Sequence, residues 1–104
     1  MLVKNEYINE LMDWYENLLT PKQVDIMNLY YKEDLSLAEI ADYLHITRSA
    51  VYDQLKRTEK LLVSYEERLH LIVQYKKRRE IYQKLEKITD SDIQALIKRL
   101  MELE

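Results

Sequence analysis

The sequence has no glycine, no cysteine and no phenylalanine, and it has one proline, Pro21. Each absence excludes something. Phosphate-cradling loops of the Walker and Rossmann kinds need glycine and are ruled out. Tight two-residue β-hairpins lose the residue that most readily takes a positive φ. Without cysteine there is no disulfide framework, no thiol nucleophile and no thiolate metal site. No apolar run approaches the roughly 18 residues that a membrane span needs, so membrane insertion is not expected. The opening residues, Met1-Leu2-Val3-Lys4-Asn5-Glu6, lack a signal-peptide core, which sets the expectation of a cytoplasmic protein. What is present is 104 residues, 47% hydrophobic and 34% charged. That composition suits one small domain, or a domain with an arm, built almost wholly of helix.

The formal net charge of −3 is unevenly spread. Residues 1–35 carry three basic and seven acidic groups, and residues 36–60 carry four of each. Residues 61–87 carry seven basic and four acidic, and residues 88–104 two basic and four acidic. The densest basic cluster is Lys76-Lys77-Arg78-Arg79. Generic nucleic-acid affinity comes mainly from neutralised phosphates, so any such contact here must be local.

Apolar spacing predicts a first helix over 4–18, with Tyr7, Ile8, Leu11, Trp14, Tyr15 and Leu18 three or four residues apart. Thr20 and Pro21 start a second helix as N-cap and first helical residue, and Gln23 completes a capping box. That helix runs to about Tyr31, with Val24, Met27 and Leu29 or Tyr30 inward. Lys32-Glu33-Asp34 is a polar linker. Ser36 with Glu39 forms a second capping box, and Leu37, Ile40, Ala41 and Leu44 follow. Thr47 caps a fourth helix. No breaker follows until Thr89, so one long helix, or two end to end, is expected from 48 to about 87. Its apolar stripe is Tyr65, Leu69, Ile72, Tyr75, Tyr82, Leu85 and Ile88, interrupted at Arg79. A helix from 62 to 87 would be about 39 Å long. Thr89-Asp90-Ser91-Asp92 is a turn with cap residues. A last helix carries Ile93, Leu96, Ile97, Leu100 and Leu103.

Residues 36–55, SLAEIADYLHITRSAVYDQL, fit a helix-turn-helix. Ala41 is small where two helices cross closely, and Ile40, Leu44, Ile46, Val51 and Leu55 form the expected seam. His45 stands in the turn where glycine is common; histidine enters the left-handed region more readily than most residues. The second helix of such a motif lays its N-terminal residues in the major groove. The candidate DNA-binding residues are Thr47, Arg48, Ser49, Tyr52, Lys56 and Arg57. Arg48 suits a guanine edge or a phosphate, and Thr47 and Ser49 suit phosphate at a helix N-terminus. Glu39, Asp42, Asp53 and Glu59 face or flank the same surface and balance its charge. The three-helix core thus reads either as a DNA reader or as a scaffold for protein contact.

The motif resembles sigma-factor region 4, with Leu19-Thr20-Pro21-Lys22-Gln23 leading into Ser36-Leu37-Ala38-Glu39-Ile40-Ala41. At closer range the chain resembles the YlxM family of small bacterial helix-turn-helix proteins. The resemblance rests on Leu18–Gln23, Leu29-Tyr30-Tyr31, Ser36–Ala41 and Ala50–Lys60, extends through Tyr65-Glu66 and Leu69-His70, and covers roughly residues 5–75. The segment from Ile88 is less like the family. The resemblance implies an all-α fold, a sigma-region-4-like core with a long C-terminal helical arm. The core is expected over 1–60 and the arm, serving as dimer seam or lid, over 61–104. It also implies a link to the signal recognition particle pathway, because the family's genes lie beside those for that particle's GTPase and its receptor. Double-stranded DNA, the GTPase, the receptor and their RNA are the implied partners, with Lys76, Lys77, Arg78 and Arg79 available to RNA or phosphate. That cluster reads first as a solvated helix face, which the i,i+4 pair Glu80 and Lys84 suits. A homodimer is expected.

No nucleophile–base pair, metal cluster or cofactor motif can be assembled from the sequence, so no enzyme, metal or cofactor is expected. The nine tyrosines, with no phenylalanine beside them, read as core aromatics before they read as a stacking platform for single strands. Tyr52, pointing outward on the recognition helix, is the exception.

Overall fold

The computed structural model describes residues 6–88 and 90–104. Among them there are six α-helices and one 3-10 turn, and no strand. Helix α1 spans Glu6–Tyr15 and passes into the 3-10 turn Glu16–Leu18. Helix α2 spans Pro21–Tyr31, α3 Leu37–Leu44 and α4 Arg48–Leu69. Helix α5 spans Leu71–Ile88 and α6 Ser91–Glu102. The chain forms two compact units, residues 1–70 and 71–104. The division falls ten residues beyond the boundary at 60 expected from the sequence, because α4 runs unbroken past it.

Caps set the starts of the helices. Thr20 and Gln23 form a reciprocal capping box, as do Ser36 and Glu39, each side chain bonding the other's backbone N–H at 2.9 to 3.2 Å. Such a box satisfies two N–H groups that a helix start otherwise leaves without a partner. Thr47 Oγ1 accepts from Ala50 N at 3.0 Å, and Asp90 caps α6 by accepting from Ile93 N. With no glycine available, three other residues take the left-handed turns: Asp34, His45 and His70, at φ of 57, 58 and 56°.

His70 corrects the expected 39 Å helix. It ends α4 in the left-handed conformation, its N–H donating to Glu66 O at 2.8 Å. Of the alternatives expected between 48 and 87, two successive helices rather than one form, α4 and α5. The stripe from Tyr65 to Ile88 is accordingly not one buried seam. Ile72 is buried, Tyr65, Tyr75 and Tyr82 are half-buried, and Leu69, Leu85 and Ile88 are exposed.

In the first unit α4 is the central element, contacting α1, α2 and α3. Val51, Leu55, Thr58 and Leu62 on one face of α4 are buried, together with Ile8, Leu11, Met12 and Tyr15 of α1, Ile26, Met27 and Tyr30 of α2, and Ile40 and Ala41 of α3. Three or four residues apart along α4, these positions make the stripe that an amphipathic helix buries. Tyr7 and Leu18, expected inward, are exposed, and Ile26 fills the core instead. Leu44 and Ile46 are half-buried at the edge of the seam. Leu18 lies in the 3-10 turn, whose three residues per turn rotate it away from the α1 stripe.

Two polar links cross this core. The Tyr15 hydroxyl donates to Glu66 Oε1 at 2.5 Å, joining α1 to α4 and giving the buried carboxylate a partner. The Tyr31 hydroxyl donates to Glu59, joining α2 to α4. Burial, and next the bond to Glu59, push the Tyr31 phenol well above its ordinary pKa.

The second unit is a hairpin of α5 and α6. Its helices are tied by Gln94 Nε2 donating to Glu86 O at 2.6 Å and by an Arg78–Glu104 ion pair at 2.9 Å. Tyr82 also donates to Glu104. That bond, and then Arg78, hold the Glu104 carboxyl below its usual range. Among the described residues no helix is long and apolar enough to cross a membrane. Thr89, expected in the turn, and residues 1–5, the expected start of the first helix among them, lie outside the described residues.

Candidate nucleic-acid interface

The helix-turn-helix consists of α3, the turn His45-Ile46-Thr47 and the first turns of α4. His45 performs the task usually given to glycine. At φ 58° its N–H donates to Ala41 O, and Ile46 N also donates to Ala41 O, at 3.1 Å. The two bonds close the end of α3 and turn the chain into α4. Ala41, buried at 7% exposure, permits the close crossing that its small size predicts.

The buried stripe of α4 fixes which residues face away. At about 100° per residue, Ser49, Asp53, Lys56 and Lys60 lie roughly opposite Val51, Leu55 and Thr58. All four are exposed. Tyr52, half-buried, lies at one margin of that face and exposed Arg57 at the other. Arg48 is exposed in the first turn. Lys56 Nζ sits 5.8 Å from the centre of the Tyr52 ring, a cation–π distance that holds the two side chains together.

Leu37 of α3 joins Arg48, Ser49, Tyr52 and Asp53 of α4 around one open groove. The helix start supplies exposed N–H groups and the positive end of the dipole. Thr47 Oγ1 already accepts the capping bond, but a hydroxyl that accepts one bond still has a proton to donate.

The acidic residues expected around this surface divide into two sets. Glu39 is engaged in the capping box, and Glu59 is turned toward α2 by its bond with Tyr31. Asp53 lines the groove and Asp42 is exposed. The outward face of α4 thus presents Arg48, Lys56, Arg57 and Lys60 against Asp53.

Thr47, Arg48, Ser49, Tyr52 and Lys56 therefore lie on adjoining turns of one helix end, with Arg57 on the flank. Lys60 belongs to the same face and was not among the expected residues, although its spacing of four from Lys56 marks it. Leu37 was expected inward and instead lines the groove.

Lys76, Lys77, Arg78 and Arg79 lie in the other unit. Arg78 is paired with Glu104, and the Arg79 guanidinium lies 4.8 Å from the centre of the Tyr75 ring. Lys76 and Lys77 are exposed. Of the tyrosines, Tyr15 and Tyr30 are core residues. His45 and His70 are both helix C-caps.

The sequence is matched over residues 2–103 by the model of the family UPF0122, described as "Putative helix-turn-helix protein, YlxM / p13 like". The UPF0122 protein OB1530 of Oceanobacillus iheyensis is 46% identical over 105 aligned positions, covering all of both chains. The UPF0122 protein YofM of Lactococcus lactis subsp. lactis is 48% identical over 101 positions, covering 97% of this chain and 90% of the relative. The UPF0122 protein YlxM of Bacillus subtilis is 43% identical over 108 positions, covering 99% and 98%. The likeness runs well past the 5–75 span marked by the sequence motifs and includes the hairpin after Ile88.

Proposed function

The chain belongs to the UPF0122 family of YlxM- and p13-like proteins, and on that premise we propose that it is a DNA-binding regulatory protein of the helix-turn-helix type. The observation that carries this reading is the outward face of α4, where Arg48, Ser49, Tyr52 and Lys56 surround a capped helix start. In this reading Thr47, Ser49 and the first N–H groups hold phosphate and set the register. Arg48 and Tyr52 meet base edges, and Lys56, Arg57 and Lys60 follow the backbone. The resemblance to sigma-factor region 4 supports a module of this kind. The protein acts in the cytoplasm as a homodimer and serves, or regulates, the signal recognition particle pathway.

Fluorescence anisotropy tests the reading. DNA from upstream of the protein's own gene is compared with scrambled duplex at two salt concentrations. Selective, salt-sensitive binding that weakens in Arg48→Ala is expected. Equal weak binding to both duplexes, or unchanged binding by the variant, overturns the assignment of α4 as reader.

A second reading is favoured by Asp53, an acid on the very face that would meet phosphate. Here the protein is an accessory of the targeting pathway that contacts the particle's GTPase, receptor or RNA, using Lys76, Lys77, Arg78 and Arg79. Retention of the purified GTPase or receptor on immobilised protein, with or without RNA, supports it; retention of neither eliminates it.

A further inference from the structure

The hairpin leaves much of its apolar surface uncovered. On α6, Ile97 is buried, but Leu96, Leu100 and Leu103 are 57, 52 and 84% exposed. On α5, Ile81, Leu85 and Ile88 are 56, 37 and 80% exposed. Helix geometry decides whether these two sets share a side. On α5 the residues that meet α6 are Arg78, Tyr82 and Glu86. Ile81, Leu85 and Ile88 lie about a quarter turn to one side of that line. On α6, Leu96, Leu100 and Leu103 lie about a quarter turn from buried Ile97. Because the two helices run antiparallel, with Gln94 at Glu86 and Glu104 at Arg78, the two displacements point the same way. The six side chains form one continuous apolar face on one side of the hairpin.

The six side chains make a wider contiguous apolar face than a monomer ordinarily exposes, and such a face suits a standard stable interface, which takes roughly 800 Å² from each partner. Charge indicates what covers it. Helix α5 carries six basic and two acidic side chains, while residues 90–104 carry two basic and four acidic. Two copies related by a two-fold axis, each α5 set against the partner's α6, bring opposite charge together, while α5 against α5 brings like charge together.

We infer that the exposed face of the α5–α6 hairpin docks on the same face of a second copy of this chain, forming an antiparallel four-helix bundle. The inference rests on the homodimer reading above and assigns its surface. The seam differs from the stripe along 65–88 expected from sequence. It is formed by α5 and α6 together, on the side that their mutual contacts leave open. The pairing places two helix-turn-helix units in one particle.

Light scattering on the full chain, from low micromolar to near-millimolar concentration, tests the inference. The wild type is expected at twice the 12.7 kDa of the chain. Leu96→Glu/Leu100→Glu is expected at the monomer mass with its helical circular dichroism unchanged, since both side chains are exposed within the hairpin. Ile81→Lys, on the other helix, is a second disruption that does not depend on α6. Tyr43→Glu, on α3 and 68% exposed, should remain a dimer. A monomeric wild type overturns the inference, including one that binds anionic vesicles through this face. A dimer that survives both disruptions overturns it as well. Anisotropy on the same samples separates the two readings: loss of DNA selectivity by an intact dimer counts against the reader, not against this interface.

Discussion

The two units use similar residues to opposite ends. In residues 6–70 a central helix is surrounded by three others, and its apolar stripe is covered on nearly every side. In residues 71–104 two helices lie side by side, and each can cover only part of the other. All but two of the buried apolar side chains among the described residues belong to the first unit; the hairpin has Ile72 and Ile97. Apolar spacing alone does not distinguish the units, because α6 is as cleanly amphipathic as any helix of the core. Geometry does, since a helix needs neighbours on more than one side to bury a wide stripe.

The largest effect that would sharpen this contrast is on stability. Leu55→Ala removes a fully buried side chain from the centre of the first unit, and is expected to cost about 3 kcal/mol. Ile97→Ala, in a site that can collapse or admit water, should cost roughly half as much. Urea titrations followed by circular dichroism measure both; equal costs would remove the distinction between a closed core and an open hairpin.

Next in size is the functional contrast. Arg48→Ala should weaken selective duplex binding by about tenfold or more, roughly 1–3 kcal/mol. If Arg48 holds a phosphate, the salt slope also falls by about one. Lys77→Ala, in the hairpin, should leave duplex affinity within about twofold. The reverse ranking would move the nucleic-acid contact from the first unit to the second.

A smaller effect separates the polar links. Tyr31 keeps its proton in the folded state above the ordinary value of 10.0 because of burial and its bond to Glu59. Below pH 10 this link gives no slope. As pH rises past 10 the unfolded tyrosine ionises while the folded one does not, so stability falls. Tyr31→Phe should cost about 1 kcal/mol at neutral pH and flatten the alkaline decline. Alkaline unfolding of variant and wild type in parallel would expose an identical slope if the link were idle.

The smallest effect concerns the turns. His45→Gly and His70→Gly relieve a left-handed side chain but loosen the unfolded chain, so each should change stability by less than about 1 kcal/mol. His45→Val, β-branched at φ 58°, should destabilise by about 1–2 kcal/mol. Thermal melts distinguish them.

Much of this was legible. Thr20-Pro21-Gln23 and Ser36–Glu39 announced their helix starts, because caps are local chemistry with a fixed spacing. His45 announced its turn through the break at Leu44-His45-Ile46. The same signature recurs at Leu69-His70-Leu71, and there it ends α4, yet the apolar periodicity continues through it and conceals the break. Lys60 was legible from spacing once the face of α4 was known. The bonds of Glu59 with Tyr31 and of Glu66 with Tyr15 join residues 28 and 51 apart in the chain, and no local pattern reports such a pairing.

The sequence by itself determined the all-helical class, the capped starts and the helix-turn-helix, because each follows from interactions within a few residues. Tertiary structure alone decided which acids stay on the α4 face and which are drawn inward. It also decided that the C-terminal stripe folds back as a hairpin with one apolar side open. Those outcomes depend on which helices become neighbours, and neighbours are chosen by the packing of the whole chain.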